Sequence, residues 1–68
     1  MHEQLSNRLR EERTKRQLTQ GQLAELVGVS RKTINTVENG VFVPSTVLAL
    51  LLARALDTTV ESLFYLPE

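Results

Sequence analysis

The chain has 68 residues, no cysteine, and eight basic side chains balanced by eight acidic ones, so its formal net charge is zero. A chain of this length is expected to form a single domain, residues 1–68, and the lack of cysteine excludes disulfides and cysteine-ligated metal sites. Its longest apolar run, Val47 to Ala53, is too short to cross a membrane and no signal-peptide core precedes it, so we expect a cytoplasmic location.

A first helix is predicted over residues 2 to 16, with Leu5 and Leu9 four positions apart on its apolar face. Continuing that face reaches Arg13, which needs a carboxylate because a buried unpaired charge is costly. Glu38, at the edge of the buried arc of the third helix, is the candidate partner, and the alternative is that both side chains are exposed. The other basic residues of this helix are placed on its solvated side: Arg8, Arg10, Lys15 and Arg16.

A second helix is predicted to begin after Thr19, because Thr19 and Gln22 form the T-x-x-Q pattern of a capping box. Apolar side chains recur from Leu23 to Val27 and give this helix one buried face. Gly28 follows the last apolar residue, where a glycine can take the left-handed conformation that ends a helix.

The third helix extends from its cap, Ser30, to Asn39. Ile34 and Val37 share one arc of the helical wheel with Ser30 and Thr33. The opposite arc is polar and consists of Arg31, Lys32, Asn35, Thr36 and Asn39. Arg can bind guanine and Asn can bind adenine through two hydrogen bonds each, while Lys and Thr can bind bases or phosphates. The alternative is a polar face that is only solvated, but two helices joined by a glycine-containing turn, over about residues 19 to 39, are typical of a helix-turn-helix.

Gly40 is predicted to end the third helix in the left-handed conformation, and Ser45 to cap a fourth helix after an apolar loop, Val41 to Val43. Apolar residues surround the fourth helix on every side, so we expect it to be almost wholly buried at the centre of a bundle. Thr58 or Thr59 caps a short fifth helix.

If Thr58 is that cap, Glu61 completes a capping box. Beyond the fifth helix, apolar residues would be exposed in a monomer, and such a patch on a small domain usually marks an interface. We therefore predict a homodimer interface that includes Tyr65, Leu66, Pro67 and Phe42. The alternative is that these apolar residues are an extension of the monomer core and form no interface.

The segment LTQGQLAELVGVSRKTINTVENG resembles the central part of the Cro/C1-type (XRE) family of helix-turn-helix regulators, which includes lambda-type phage repressors. The likeness covers about residues 8 to 64 and rests on LTQ, the LAE-x-VGVS corner, the I-x-x-VENG end and the later PS-x-x-L-x-x-x-LA-x-AL run. It implies an all-α, compact five-helix bundle like that of lambda repressor. It also implies an Arg13–Glu38 ion pair and base contacts from Arg31, Lys32 and Thr36.

Gln20 begins the supporting helix, where we expect it to meet the DNA backbone and to brace the reading helix. The predicted DNA-binding residues are Gln20, Ser30, Arg31, Lys32, Thr33, Asn35, Thr36 and Asn39. Two residues depart from the family pattern. Gly21 stands where a helix-favouring residue is usual, and Val41 stands where a Lys that contacts phosphate is common.

No enzyme chemistry is expected. The single histidine, His2, stands near the terminus, where it is a weak candidate for a general base, and the three glycines have neither P-loop nor dinucleotide spacing. Three aromatic residues give no stacking platform for single strands or RNA. We therefore expect no catalytic residue, cofactor, metal or small-molecule ligand.

The sequence thus predicts a transcriptional regulator, most simply a repressor, that binds double-stranded DNA as a homodimer. One alternative is a DNA-binding antitoxin or restriction-modification controller. Another is an interaction module of the same fold without DNA binding, which the zero net charge and Val41 favour. Against it, the outer face stays rich in groups that can form two hydrogen bonds, namely Gln20, Arg31, Lys32 and Asn35. The charge distribution also helps a little, because residues 1–40, which carry the helix-turn-helix, hold seven basic and five acidic residues while residues 41–68 hold one and three.

Overall fold

A computed structural model describes residues 4–68 as five helices and one short strand pair. The elements in chain order are β1 (Ser6–Asn7), α1 (Leu9–Lys15), α2 (Gln20–Val27), α3 (Arg31–Glu38), α4 (Thr46–Ala55), α5 (Val60–Leu63) and β2 (Phe64–Tyr65). The predicted five-helix fold is confirmed, and the two-residue strands add a small antiparallel pair that the sequence did not suggest.

The first helix is shorter than predicted. Ser6 and Asn7 pair with the C-terminal strand, and the backbone N–H of Arg8 donates to the carbonyl of Leu63 at 2.8 Å. The Asn7 side chain then accepts from the backbone N–H of Leu9 at 3.0 Å, which satisfies a free donor at the helix start. A helix over residues 4 to 8 is therefore wrong, because the backbone there bonds to the C-terminal segment. Residues 2 and 3 of the predicted helix lie outside the described residues, 4–68.

The helix ends follow the predicted capping residues. Each cap side chain accepts from the backbone N–H three positions on, at Thr19, Ser30, Ser45 and Thr59. Thr19 and Gln22 form the full capping box. Because Thr59 caps α5, the alternative box from Thr58 to Glu61 does not form. Gly28 and Gly40 have φ of 77° and 74°, the left-handed conformation that the sequence predicts.

One apolar core joins all five helices. Its fully buried side chains are Leu9, Leu23, Ile34, Val37, Leu52, Leu56 and Leu63. Fully burying a side chain of this size stabilises the fold by about 1.5 to 3 kcal/mol. Within residues 4–68, no helix has the length and hydrophobicity that crossing a membrane would need.

Helix α4 is not almost wholly buried, so that prediction is wrong. Leu48, Ala49 and Leu52 pack into the core, but Val47 and Leu50 are 67% and 57% exposed. One face of α4 packs against α2 and α5. The remaining apolar face lies open in the monomer, because the described chain has no further element to cover it.

Candidate nucleic-acid interface

The turn between α2 and α3 fixes how α3 is presented to solvent. The backbone N–H groups of Gly28 and Val29 both donate to the carbonyl of Ala24, at 2.8 and 3.0 Å. Ile34 and Val37 then bury the inner face of α3 almost completely. Because the turn and the core both hold α3, its outer face is a rigid surface.

Four of the predicted DNA-binding residues come together on this surface. Gln20, from the start of α2, lines one open polar notch with Arg31, Lys32 and Asn35 from α3. The three α3 side chains are exposed and Gln20 is half-buried. The notch therefore presents two cations and two amides side by side.

The other predicted residues of α3 are more engaged within the protein. Ser30 Oγ caps the helix and lies 3.0 Å from Thr33 Oγ1. Thr36 is half-buried, and its hydroxyl donates to the carbonyl of Thr33 at 2.9 Å. Asn39 is exposed at the end of α3 and bonds to Arg10, through Arg10 Nη2 at 3.1 Å from Asn39 Oδ1. These side chains stabilise the helix at the edge of the notch.

A buried carboxylate lies behind the notch. The side chain of Glu38 is 0% exposed, and the structure places Arg13 against it, with Nε 2.6 Å from Oε2 and Nη2 3.2 Å from Oε1. The remaining arm of the Arg13 guanidinium donates to the carbonyl of Leu18 at 2.8 Å. This two-point pair joins α1 to α3 and to the loop before α2.

Two more donors reach Glu38, and the sequence reasoning assigned neither of them to it. Arg10 Nε lies 3.4 Å and Gln20 Nε2 lies 3.1 Å from Glu38 Oε1. Arg10 stands one helical turn before Arg13, so the i, i+3 spacing was a signal that both could face α3.

These contacts set the pKa of Glu38. Burial by itself raises the pKa, but the hydrogen bonds from Arg13, Gln20 and Arg10 outweigh burial and hold the pKa below its ordinary value. Glu38 is therefore ionised at neutral pH.

The other basic side chains of the N-terminal half have partners within the chain. Lys15 and Arg16 form salt bridges with Glu12, and the Arg8 guanidinium lies 4.3 Å from the centre of the Tyr65 ring. In the part of the chain that the structure describes, Arg31 and Lys32 form no salt bridge. Their charges are available to an external anion.

The predicted dimer residues line two different depressions of the surface. Leu66, 63% exposed, and Tyr65 line a groove with Leu50 of α4 and Val60 of α5. Pro67 is exposed beyond them. Phe42, in contrast, lines a separate notch beside α3 that includes Lys32, Thr33, Thr36 and Val41. The groove brings together the open face of α4 and the C-terminal residues.

Residues 4–68 contain no group of three His, Asp or Glu side chains placed to hold a metal ion.

Known proteins resemble the chain over most of its length. A family model described as Helix-turn-helix matches residues 9–63. The uncharacterized HTH-type transcriptional regulator YgzD of Bacillus subtilis (strain 168) is 38% identical over 64 residues, which cover 94% of this chain and 97% of YgzD. An uncharacterized HTH-type transcriptional regulator of Methanothermobacter thermautotrophicus is 48% identical over 61 residues, which cover 88% of each chain.

Among solved structures, the restriction-modification controller protein C.AhdI from Aeromonas hydrophila has a TM-score of 0.77 and 44% identity. The match covers 81% of this chain and 83% of that one. Both the sequence and the fold therefore match proteins whose names describe regulators.

Proposed function

Since this chain belongs to the Cro/C1-type (XRE) helix-turn-helix family of DNA-binding transcription regulators, we propose that it is a repressor that binds an inverted-repeat operator as a homodimer. The observation that supports DNA binding best is the outer face of α3. It presents Arg31 and Lys32, unpaired within the described chain, beside the amides of Gln20 and Asn35. The proposal includes no catalytic role and no small-molecule ligand.

The α3 face has the size and chemistry for the major groove of B-DNA. A recognition helix enters this groove with its N-terminal residues toward the base edges, which here are Arg31 and Lys32. Gln20, at the N-terminus of α2, stands where a supporting helix crosses the DNA backbone. Thr36 is half-buried, so it contributes to the edge of the contact more than to its centre.

A homodimer follows from the amount of sequence that one helix can read. A single short helix contacts only a few base pairs, which is too few to define one site in a genome, whereas two copies related by a two-fold axis read two half-sites about 34 Å apart. The open groove around Leu50 and Leu66 offers apolar surface for such a contact. The dimer would also add buried area to a core that is small in a chain of 68 residues.

Fluorescence anisotropy with labelled duplex DNA, at about 50 mM and about 200 mM salt, tests the proposal. Because the net charge is zero, attraction to DNA must come from the local basic face. Neutralising about four to eight phosphates per dimer would give a log-log salt slope of about −4 to −7. Saturable binding with this slope is expected. No binding at low salt would favour an interaction module without DNA affinity, and salt-independent binding would contradict the electrostatic part.

Arg31→Ala tests whether Arg31 contacts a base in the major groove. On a selected operator this change should cost about 1 to 3 kcal/mol of binding free energy and should relax the preference at one base pair. Lys15→Ala is the matched control, because it removes one positive charge from α1, outside the notch. It should change binding to all sequences by one common factor. The same uniform weakening for Arg31→Ala would make Arg31 a phosphate contact.

A restriction-modification controller is a second candidate function, favoured by the 44% identity to C.AhdI over 83% of that protein. The genes that neighbour the gene for this chain distinguish a restriction-modification controller from another type of repressor. An adjacent endonuclease and methyltransferase pair, with the operator in their promoter, would identify a controller.

A further inference from the structure

Asn35 lies at the centre of a hydrogen-bond network whose direction is fixed at one end by Glu38. An ionised carboxylate only accepts hydrogen bonds, so the Gln20 group 3.1 Å from Glu38 Oε1 must be the amino group, Nε2. The same amino group lies 3.2 Å from the Asn35 side chain, so the Asn35 atom facing it must be the oxygen, Oδ1.

The other end of the network gives the same orientation independently. The guanidinium of Arg10 only donates, so the Asn39 atom 3.1 Å from its Nη2 must be Oδ1. That leaves Asn39 Nδ2 to face Asn35, where it donates to Asn35 Oδ1 at 3.3 Å. An amide orientation is normally an assignment from the network around it. Here two charged ends of opposite hydrogen-bonding character require the same orientation.

This orientation limits the hydrogen bonds that Asn35 can form with a base. A carbonyl oxygen has two lone pairs, and Gln20 and Asn39 occupy both of those on Asn35 Oδ1. The exposed side chain therefore presents its amino group alone, which carries two donors and no acceptor. Binding adenine through two hydrogen bonds needs one donor and one acceptor on the same amide.

We propose that Asn35 is a donor-only specificity residue, which selects guanine over adenine at the base pair it faces. Guanine presents two acceptors, N7 and O6, in the major groove, so both suit the Asn35 amino group. Adenine presents its own N6 amino group beside N7, so two donors would face each other. This inference rests on the proposed DNA binding and corrects the expectation that an Asn on this helix reads adenine.

Selection of sites from a random duplex library by the full chain, followed by sequencing, measures this preference. The base pair that Asn35 faces is the one whose preference disappears in Asn35→Ala. At that position the wild type should prefer guanine over adenine by about 5- to 150-fold, the range of one well-placed base contact. Replacing that guanine with 7-deazaguanine, which lacks the N7 acceptor, should weaken the wild type and leave Asn35→Ala unchanged.

Gln20→Met tests the network itself. Methionine keeps the length of the side chain but cannot donate, so one lone pair of Asn35 Oδ1 becomes free to accept from adenine N6. The guanine-to-adenine ratio at that one position should fall toward parity. Gln17→Met is the control, because Gln17 is exposed outside the network, and it should leave the ratio unchanged.

The outcomes separate this inference from the proposed function. Specific binding with adenine preferred at the Asn35 position, no position that depends on Asn35, or a ratio that Gln20→Met does not change would overturn the inference and leave DNA binding in place. A wild-type chain that binds no DNA, or binds every duplex equally, would overturn the proposed function and with it the inference.

Discussion

At the residue scale, the ion pair of Arg13 and Glu38 holds α3 in place through a carboxylate with no exposed area. Arg13→Met removes its strongest donor and should cost about 3 to 5 kcal/mol of unfolding free energy, because the charge of Glu38 stays buried without its main partner. Lys15→Met is the matched control, since the Lys15 side chain pairs with Glu12 but is 70% exposed, and its loss of unfolding free energy should be much smaller. Urea denaturation followed by circular dichroism measures both, and equal losses would contradict the structural role of the pair.

The same carboxylate makes stability depend on pH. The folded-state pKa of Glu38 lies below its ordinary value of 4.5, so its contribution is complete above about pH 5 and is lost as the pH falls through the lower folded value. The gap in unfolding free energy between wild type and Glu38→Gln should be constant from pH 7 to about pH 5 and should narrow below that. Glu25→Gln, on the exposed side of α2, is the control for the removal of one carboxylate. A gap that stays constant to pH 3 would argue against the linkage.

Sequence reasoning reaches some of these residues and misses others for a physical reason. The Arg13–Glu38 pair was predicted because an Arg on an apolar face needs a carboxylate and because the family pattern supplies one. The contacts of Arg10 and Gln20 with Glu38 depend on how α1 and α2 are rotated against α3. The spacing of Arg10 and Arg13 places both on one side of α1, but the side that faces Glu38 is set by packing between residues far apart in the sequence.

At the element scale, the sequence predicted helix ends that depend on neighbouring residues. It did not predict features that depend on contacts between distant parts of the chain. Capping by Thr19, Ser30 and Ser45 is a matter of neighbouring residues, so the sequence sufficed. The start of α1 depends instead on strand pairing with residues 64 and 65, at the other end of the chain. The open face of α4 was missed because its periodicity is apolar all round, which does not show which side finds a neighbour.

Two glycines of the helix-turn-helix should respond in opposite directions to the same change. Gly28 has φ of 77°, so Gly28→Ala should cost about 1 to 2 kcal/mol of unfolding free energy. Gly21 lies within α2, and an added Cβ would meet only Thr19 Oγ1, at an ordinary 3.9 Å. Gly21→Ala should therefore raise the unfolding free energy by about 0.5 to 1 kcal/mol. Thermal unfolding of both variants beside the wild type measures the difference, and a loss for Gly21→Ala would show that this glycine has another role.

At the scale of the whole molecule, the apolar groove along α4, α5 and β2 determines assembly in the proposed model. Leu66→Glu places a charge in this groove and should convert a dimer into a monomer at micromolar concentration, with weaker operator binding. Leu26→Glu is a closely matched control, because Leu26 on α2 is 62% exposed, almost the same as Leu66 at 63%, and lies outside the groove. Sedimentation of the three proteins measures their oligomeric state. If the wild type and Leu66→Glu are both monomers at micromolar concentration and bind the operator equally well, the dimer is refuted.

The pairing of β1 with β2 also has a consequence for the order in which the domain folds. Ser6, Asn7 and the N–H of Arg8 bond to the segment from Leu63 to Tyr65, so this contact closes a loop that contains all five helices. Closing a long loop costs more conformational entropy and is slower than forming contacts between neighbouring elements. The α2–α3 contact is between neighbours in the sequence. We therefore expect α2 and α3 to pack together before the strand pair closes the domain.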